Sequence, residues 1–153
     1  RLETAGVKPA FRDSFAARRC IVPADGFYEW ERKAKGKLPH YIHAADKRPL
    51  PLAGLWSSWR DPETEERFVT CTILTGAPNK LMEPIHDRMP IIIPEGDWER
   101  WLDPGNQDFE GLQALMQPYP ADAMEEYAVS TLVNKVANNT ADLLTPLTTP
   151  AAE

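Results

Sequence analysis

The sequence predicts a single α+β domain with a largely antiparallel, barrel-like β-sheet and short peripheral helices. Three observations carry that expectation. Short β-branched or aromatic runs recur between turn residues, helical spacing gathers late in the chain, and no strand–helix–strand rhythm or Gly-rich phosphate loop is present. The 153 residues suffice for one domain with a hydrophobic core, and 42% hydrophobic with 26% charged residues is a globular composition. The domain is expected to cover residues 1–147, with 148–153 as a flexible tail.

Each element has a local reason. Asp13 to Arg18 reads as a short helix capped by Asp13 or Ser14. Cys20 to Val22 follows as a strand, and Pro23-Ala24-Asp25-Gly26 as a turn. Phe27 to Arg32 is a strand rich in aromatics, and Lys35-Gly36 turns the chain into Leu38 to Ala44. Leu52 to Trp56 and Phe68 to Leu74 are the next strands, separated by a polar loop at Asp61-Pro62. Gly76 to Pro90, interrupted by Pro78 and Pro84, is expected to be irregular, and Ile91 to Ile93 short and buried. Trp98, Trp101 and Leu102 have helical spacing, as do Phe109, Leu112, Leu115 and Met116. Tyr127 to Val129 reads as a last strand and Ala141 to Leu144 as a final turn.

Composition narrows the function classes. No apolar run approaches the roughly 20 residues of a membrane helix. Two cysteines make no disulfide framework, so Cys20 and Cys71 are expected to be buried strand thiols in a reducing, cytoplasmic protein, nucleoid-associated if bacterial. Net charge is −6, which by itself argues against general nucleic-acid binding. Its distribution argues otherwise: up to Arg48 there are 11 basic and 6 acidic residues, and beyond it 6 basic and 17 acidic. A basic face beside an acidic one is expected.

Two segments have chemical potential. In Gly26-Phe27-Tyr28-Glu29-Trp30-Glu31, strand alternation puts Glu29 on the face of Phe27 and Glu31, with Tyr28 and Trp30 opposite. A partly desolvated carboxylate there would favour its protonated form and could exchange protons near neutral pH, whereas a water-facing strand glutamate would do nothing of the kind. In Ile85-His86-Asp87-Arg88-Met89-Pro90, His86 can shuttle a proton, Asp87 orient it and Arg88 bind a phosphate. A local ion pair in a loop is the plainer reading. His40 and His43, three apart on a strand, point to opposite faces, so no metal is expected, and no other cofactor. Of the five tryptophans, most are expected in the core, Trp56 among them. Trp59 is left open between core and base stacking.

The segments together resemble a known family. Arg1-Leu2-Glu3-Thr4 matches the end of an Asn-Ala-Arg-x-Glu-Thr motif. Lys8-Pro9-x-Phe11, Arg19 through Trp30, and Ile85 through Pro90 follow, and then Val129-Ser130-Thr131, Val133-Asn134 and Asn138-Asn139. This pattern is similar to the SOS-response-associated peptidases over Arg1 to about Leu147. The resemblance implies an abasic-site sensor of the DNA damage response that works on single-stranded DNA. It captures the ring-opened sugar through an N-terminal cysteine as a thiazolidine crosslink, with self-processing peptidase and lyase-type activity. By position Glu29 and His86 match the catalytic pair, and Arg1 and Arg88 the DNA-phosphate contacts. The partner implied is single-stranded DNA containing abasic sites, and the protein is expected to be a monomer. The sequence starts at Arg1, so the leading cysteine and the motif asparagine are expected upstream of it. The 153 residues alone are then expected not to crosslink. The alternatives are a cysteine peptidase or hydrolase using Cys20 with His86, and a non-catalytic single-stranded DNA-binding module.

Overall fold

The computed structural model of the protein describes residues 9–147, and side chains from Phe11 onward; Arg1 and the expected tail at 148–153 lie outside these residues. The elements are α1 (Pro9–Ala17), β1 (Arg19–Ala24), β2 (Phe27–Arg32), β3 (Lys37–Ala44), β4 (Leu50–Arg60), β5 (Arg67–Ile73), β6 (Thr75–Gly76), β7 (Met89–Pro90), α2 (Trp98–Leu102), α3 (Phe109–Ala114) and β8 (Met124–Ala128). Short 3-10 turns at Thr131–Asn134 and Ala141–Leu144 follow β8. Two three-stranded sheets form, β1–β4–β5 and β2–β3–β8, with β6 and β7 as a two-residue ladder. All pairings are antiparallel. The α+β expectation therefore holds, with the described strands in separate sheets rather than a closed barrel.

Helix α1 begins earlier than the capping pattern suggests. The described part of the helix already includes Pro9. Asp13 and Ser14 are consequently interior, and Ser14 Oγ accepts from Arg18 Nε at 3.2 Å and Nη2 at 3.0 Å. β4 runs past Trp56 because Ser57–Arg60 pair residue for residue with Arg67–Thr70.

The outer half of that pairing corrects two expectations. β5 is an edge strand and is exposed at every position. Cys71 is exposed rather than buried, and Trp56 is 38% exposed rather than in the core. β-Branched alternation gave the strand correctly but not its burial, which depends on what the rest of the chain lays over it. Trp59, 55% exposed, stacks on its cross-strand partner Phe68 with ring centroids 5.9 Å apart.

β4 and the segment Ile91–Ile93 form a partition between two cores. Ala53, Leu55, Ile91 and Ile93 face the first, with Phe15, Leu74, Trp101, Leu112 and Met116. Leu50, Leu52 and Ile92 face the second, with Ile42, Met82, Ile85, Met89 and Met124. Strand alternation explains the division, since successive side chains leave opposite faces. Backbone bonds fix it: Ala53 N donates to Ile91 O at 2.8 Å, Ile91 N to Leu74 O at 2.9 Å, and Ile93 N to Pro51 O at 3.0 Å. The second core lies against the sheet β2–β3–β8, on the face that carries Glu29.

Candidate active site

Glu29 is placed by the β2–β3 ladder, in which Phe27 pairs with Ile42, Tyr28 with Tyr41 and Glu29 with His40. That register starts at Gly26. A side chain there would collide with the Ile42 carbonyl and come within 2.5 Å of the Tyr41 ring, so only glycine lets the two strands close at this end. Tyr28 and Tyr41 occupy the opposite face, where their rings lie 5.5 Å apart. Burial, together with the neighbouring Tyr127, pushes both phenols above their usual range.

His86 is placed by a segment that sequence patterns left irregular. Asn79, 8% exposed, organises it. Its Oδ1 accepts from the N–H groups of Leu81 at 3.1 Å and Met82 at 3.0 Å, while Nδ2 donates to Tyr119 O at 2.7 Å. Turn bonds continue, with Ile85 N and His86 N both donating to Met82 O. Met82 and Ile85 sink into the second core and anchor the turn. The sequence signal was available in Asn79 itself, since asparagine side chains mimic backbone turns.

The two expected catalytic residues meet. His86 Nε2 lies 3.9 Å from Glu29 Oε1, with side chains 41% and 23% exposed. Glu29 Oε1 also accepts from Trp30 N–H at 3.1 Å, which holds the carboxylate over its own strand. The Arg88 N–H donates to His86 Nδ1 at 3.1 Å. The Arg88 carbonyl lies 3.3 Å from the same Nδ1, so this nitrogen meets an acceptor as well as a donor, and the tautomer sets which bond is made. Asp87 Oδ1 lies 3.2 Å from the same Nδ1, a second acceptor within its reach. At 3.9 Å the two groups do not bond directly. That separation is one a single hydroxyl or water bridges.

Beside His86 opens a cleft of about 360 Å³ walled by Arg32 and by Glu83 to Asp87. Arg32, at the end of β2, is not among the expected site residues. Arg88 is tethered to β6, donating from Nε to Thr75 Oγ1 at 3.2 Å and from Nη2 to the Thr75 carbonyl. The downstream motif folds back on the aromatic one, as Trp30 Nε1 donates to Asn134 Oδ1 at 2.7 Å. Among the described residues, no three or more His, Cys, Asp or Glu side chains gather in a group able to hold a metal ion. His43 stacks on Tyr41, on the face away from His40. None of the described helices is long and apolar enough to cross a membrane.

Comparison with known proteins gives a consistent family. The family model for SOS response associated peptidase (SRAP) matches residues 1–136. The abasic site processing protein YoqW of Bacillus subtilis is 48% identical over 145 residues, covering 94% of this chain and 64% of the relative. The abasic site processing protein HMCES of Xenopus tropicalis is 35% identical, covering 94% of this chain and 48% of its own length. A crystal structure of a Bacteroides thetaiotaomicron protein superposes with a TM-score of 0.88 at 30% identity, covering 95% of this chain and 64% of that one. The chain thus spans a little under two thirds of the length of the Bacillus relative. With most of its length matched by the family model, the chain belongs to the SOS response associated peptidase (SRAP) family.

Proposed function

We propose that this chain supplies the acid–base pair and part of the DNA-backbone grip of an abasic-site sensor that crosslinks to single-stranded DNA. The observation that carries the reading is the convergence of Glu29 and His86, from a strand and a distant loop, on one site 3.9 Å across. The names of the relatives, abasic site processing proteins, support the substrate class.

The chemistry asks for such a pair. A ring-opened abasic sugar presents an aldehyde. An N-terminal amine adds to its carbon, and the resulting hydroxyl must leave as water to give an imine. A neighbouring thiolate then adds to the imine carbon, and the nitrogen regains a proton. One aldehyde and one aminothiol give one thiazolidine and one water. Protonating the departing hydroxyl and removing protons from amine and thiol are tasks for a carboxyl and an imidazole sharing one small space. The same two groups serve removal of a leading methionine and reversal of the adduct. Arg88, and Arg1 beyond the described residues, are assigned to phosphates flanking the lesion.

The aminothiol has to come from outside these 153 residues, whose cysteines are Cys20 and Cys71. A peptidase built on Cys20 is disfavoured. That thiol lies half-buried on β1, and burial, with Cys71 nearby, pushes it above the usual thiol range. The test is incubation with single-stranded DNA bearing one abasic site, followed by a denaturing gel. A polypeptide joining this chain to a processed N-terminal cysteine segment gives a shifted band, and Glu29→Gln or His86→Ala removes it or its reversal. Full activity in both variants would remove the acid–base role of the pair, and DNA binding with no shifted band in any form would leave a non-catalytic binding module.

A further inference from the structure

The strand face that carries Glu29 also carries a chain of charged groups that the crosslinking chemistry does not use. Lys33 Nζ donates to Glu31 Oε1. Glu31 Oε2 lies 3.0 Å from His40 Nε2, and His40 Nδ1 lies 2.6 Å from Glu126 Oε2. The series crosses β2, β3 and β8 in turn. His40 is 8% exposed and is the direct cross-strand partner of Glu29, so the two side chains share a face. Each ring nitrogen of His40 faces a carboxylate oxygen. Only a ring carrying protons on both nitrogens donates to both, and that ring brings a positive charge between two negative ones.

We propose that His40 is a positioning residue for Glu29, an imidazolium that ties β2 to β8 and offsets the charges of Glu31 and Glu126 beside the reacting carboxyl. The proposal rests on the acid–base role of Glu29. Its physical content is electrostatic. Two carboxylates close to a third favour the protonated form of that third, and an intervening cation cancels the effect. Around His40 the charged groups are Glu29 and Glu31 on β2, through Glu31 also Lys33 just past the end of that strand, and Glu126 on β8. On the loop side Glu29 faces His86, behind which stand Asp87 and Arg88. Glu31 has Lys33 as a second cationic partner, so the charge that His40 chiefly offsets on this face is that of Glu126.

The experiment measures the rate of adduct formation with abasic single-stranded DNA against pH, in the full-length protein. Variants are His40→Gln, Glu126→Gln, the double variant and Glu29→Gln. For His40→Gln the acid limb of the profile moves up by about one pH unit, so the rate at a fixed pH on that limb falls about tenfold while the plateau above it is kept. Removing Glu126 as well returns the limb toward its original position. Glu126→Gln alone moves it the other way, which tests the proposal even when His40→Gln does not fold. A lowered melting temperature with unmoved limbs in His40→Gln and Glu126→Gln would make the triad a structural brace and overturn the proposal. Those unmoved limbs together with an inactive Glu29→Gln sink the proposal alone. A fully active Glu29→Gln sinks the acid–base reading along with it.

Discussion

Arg19 donates from Nε to the Trp101 carbonyl at 2.7 Å while its guanidinium sits 5.8 Å from the centroid of the Trp101 ring. The remaining donors reach Phe15 O at 2.7 Å, Ala16 O at 2.6 Å, Asn106 O at 3.3 Å and the Asp103 carbonyl. The carbonyls of Phe15, Ala16 and Trp101 belong to the last turns of α1 and α2, whose ends carry partial negative charge. One buried cation therefore closes two helices and fastens them to β1. Burial pulls its pKa below the usual arginine value, with Asp103 opposing.

Arg19→Met is expected to destabilise the domain by about 3 kcal/mol, since it leaves several buried carbonyls without donors. Arg19→Lys restores little, because an ammonium cannot fork between two helix ends. Urea unfolding followed by circular dichroism measures both. A midpoint for Arg19→Met equal to the parent's would deny the residue its capping role.

The two cysteines are expected to differ in reactivity. Cys71 is exposed on β5, whereas Cys20 is half-buried with its thiol pushed up by burial. Iodoacetamide at about pH 7.5 labels Cys71 first, and peptide mass spectrometry follows the order. The label at Cys20 accelerates only as the pH climbs above the ordinary thiol range, where its thiolate forms. Selective early labelling of Cys20 would restore the cysteine-peptidase alternative.

Asn79→Ala removes the side chain that shapes the His86 loop. The loss of the Leu81, Met82 and Tyr119 bonds is expected to cost about 2 kcal/mol of stability. On the proposed acid–base reading, adduct formation by the full-length protein is expected to fall further than stability alone explains, because His86 loses its position against Glu29. Comparing rates well below the melting temperature separates the two effects.

Acid weakens the fold through three carboxylates held below their usual range. Glu31 is lowered first by its bond from Lys33, Asp46 by Arg48, and Asp61 by the Thr64 and Glu63 N–H groups. For a depressed pKa, the folded state binds fewer protons than the unfolded one. The stabilisation is therefore complete above the ordinary carboxylate value and is lost as pH falls below it. Urea midpoints measured downward from about pH 5 should decline, and Glu31→Gln should flatten part of that decline. A Glu31→Gln profile parallel to the parent's would remove this residue from the account.

Arg88→Ala is expected to weaken binding of single-stranded abasic DNA and to make its salt dependence shallower. Releasing one phosphate from the protein's grip changes the slope of log K against log salt by about 0.7. Fluorescence anisotropy across salt concentrations reads the slope. An unchanged slope would place Arg88 away from the backbone.

Much of this structure is legible in the sequence, for local reasons. Phe27 to Arg32 has its observed bounds in the sequence pattern because aromatic content and flanking turns agree there. The pairing of Glu29 with His86 follows from motif resemblance, and strand alternation puts Glu29 on the correct face. What stays hidden depends on contacts between distant segments. Nothing local shows that His40 meets Glu31 and Glu126, or that Arg19 meets residues more than eighty positions away. The exposure of Trp56 and Cys71 escapes the sequence for the same reason, since apolar character does not say which strand lies at a sheet edge.

The alternation at Ile91 to Ile93 sets a rule for chain length. Adding or deleting one residue between Met89 and Ile91 would put all three isoleucines out of step with Met89, whose Sδ accepts from the Asn79 N–H at 3.2 Å. The 61–66 hairpin tip is solvent-exposed or nearly so throughout and carries no such penalty. Tags, reporter insertions and permuted termini belong at that tip, leaving the stretch after His86 at its native count.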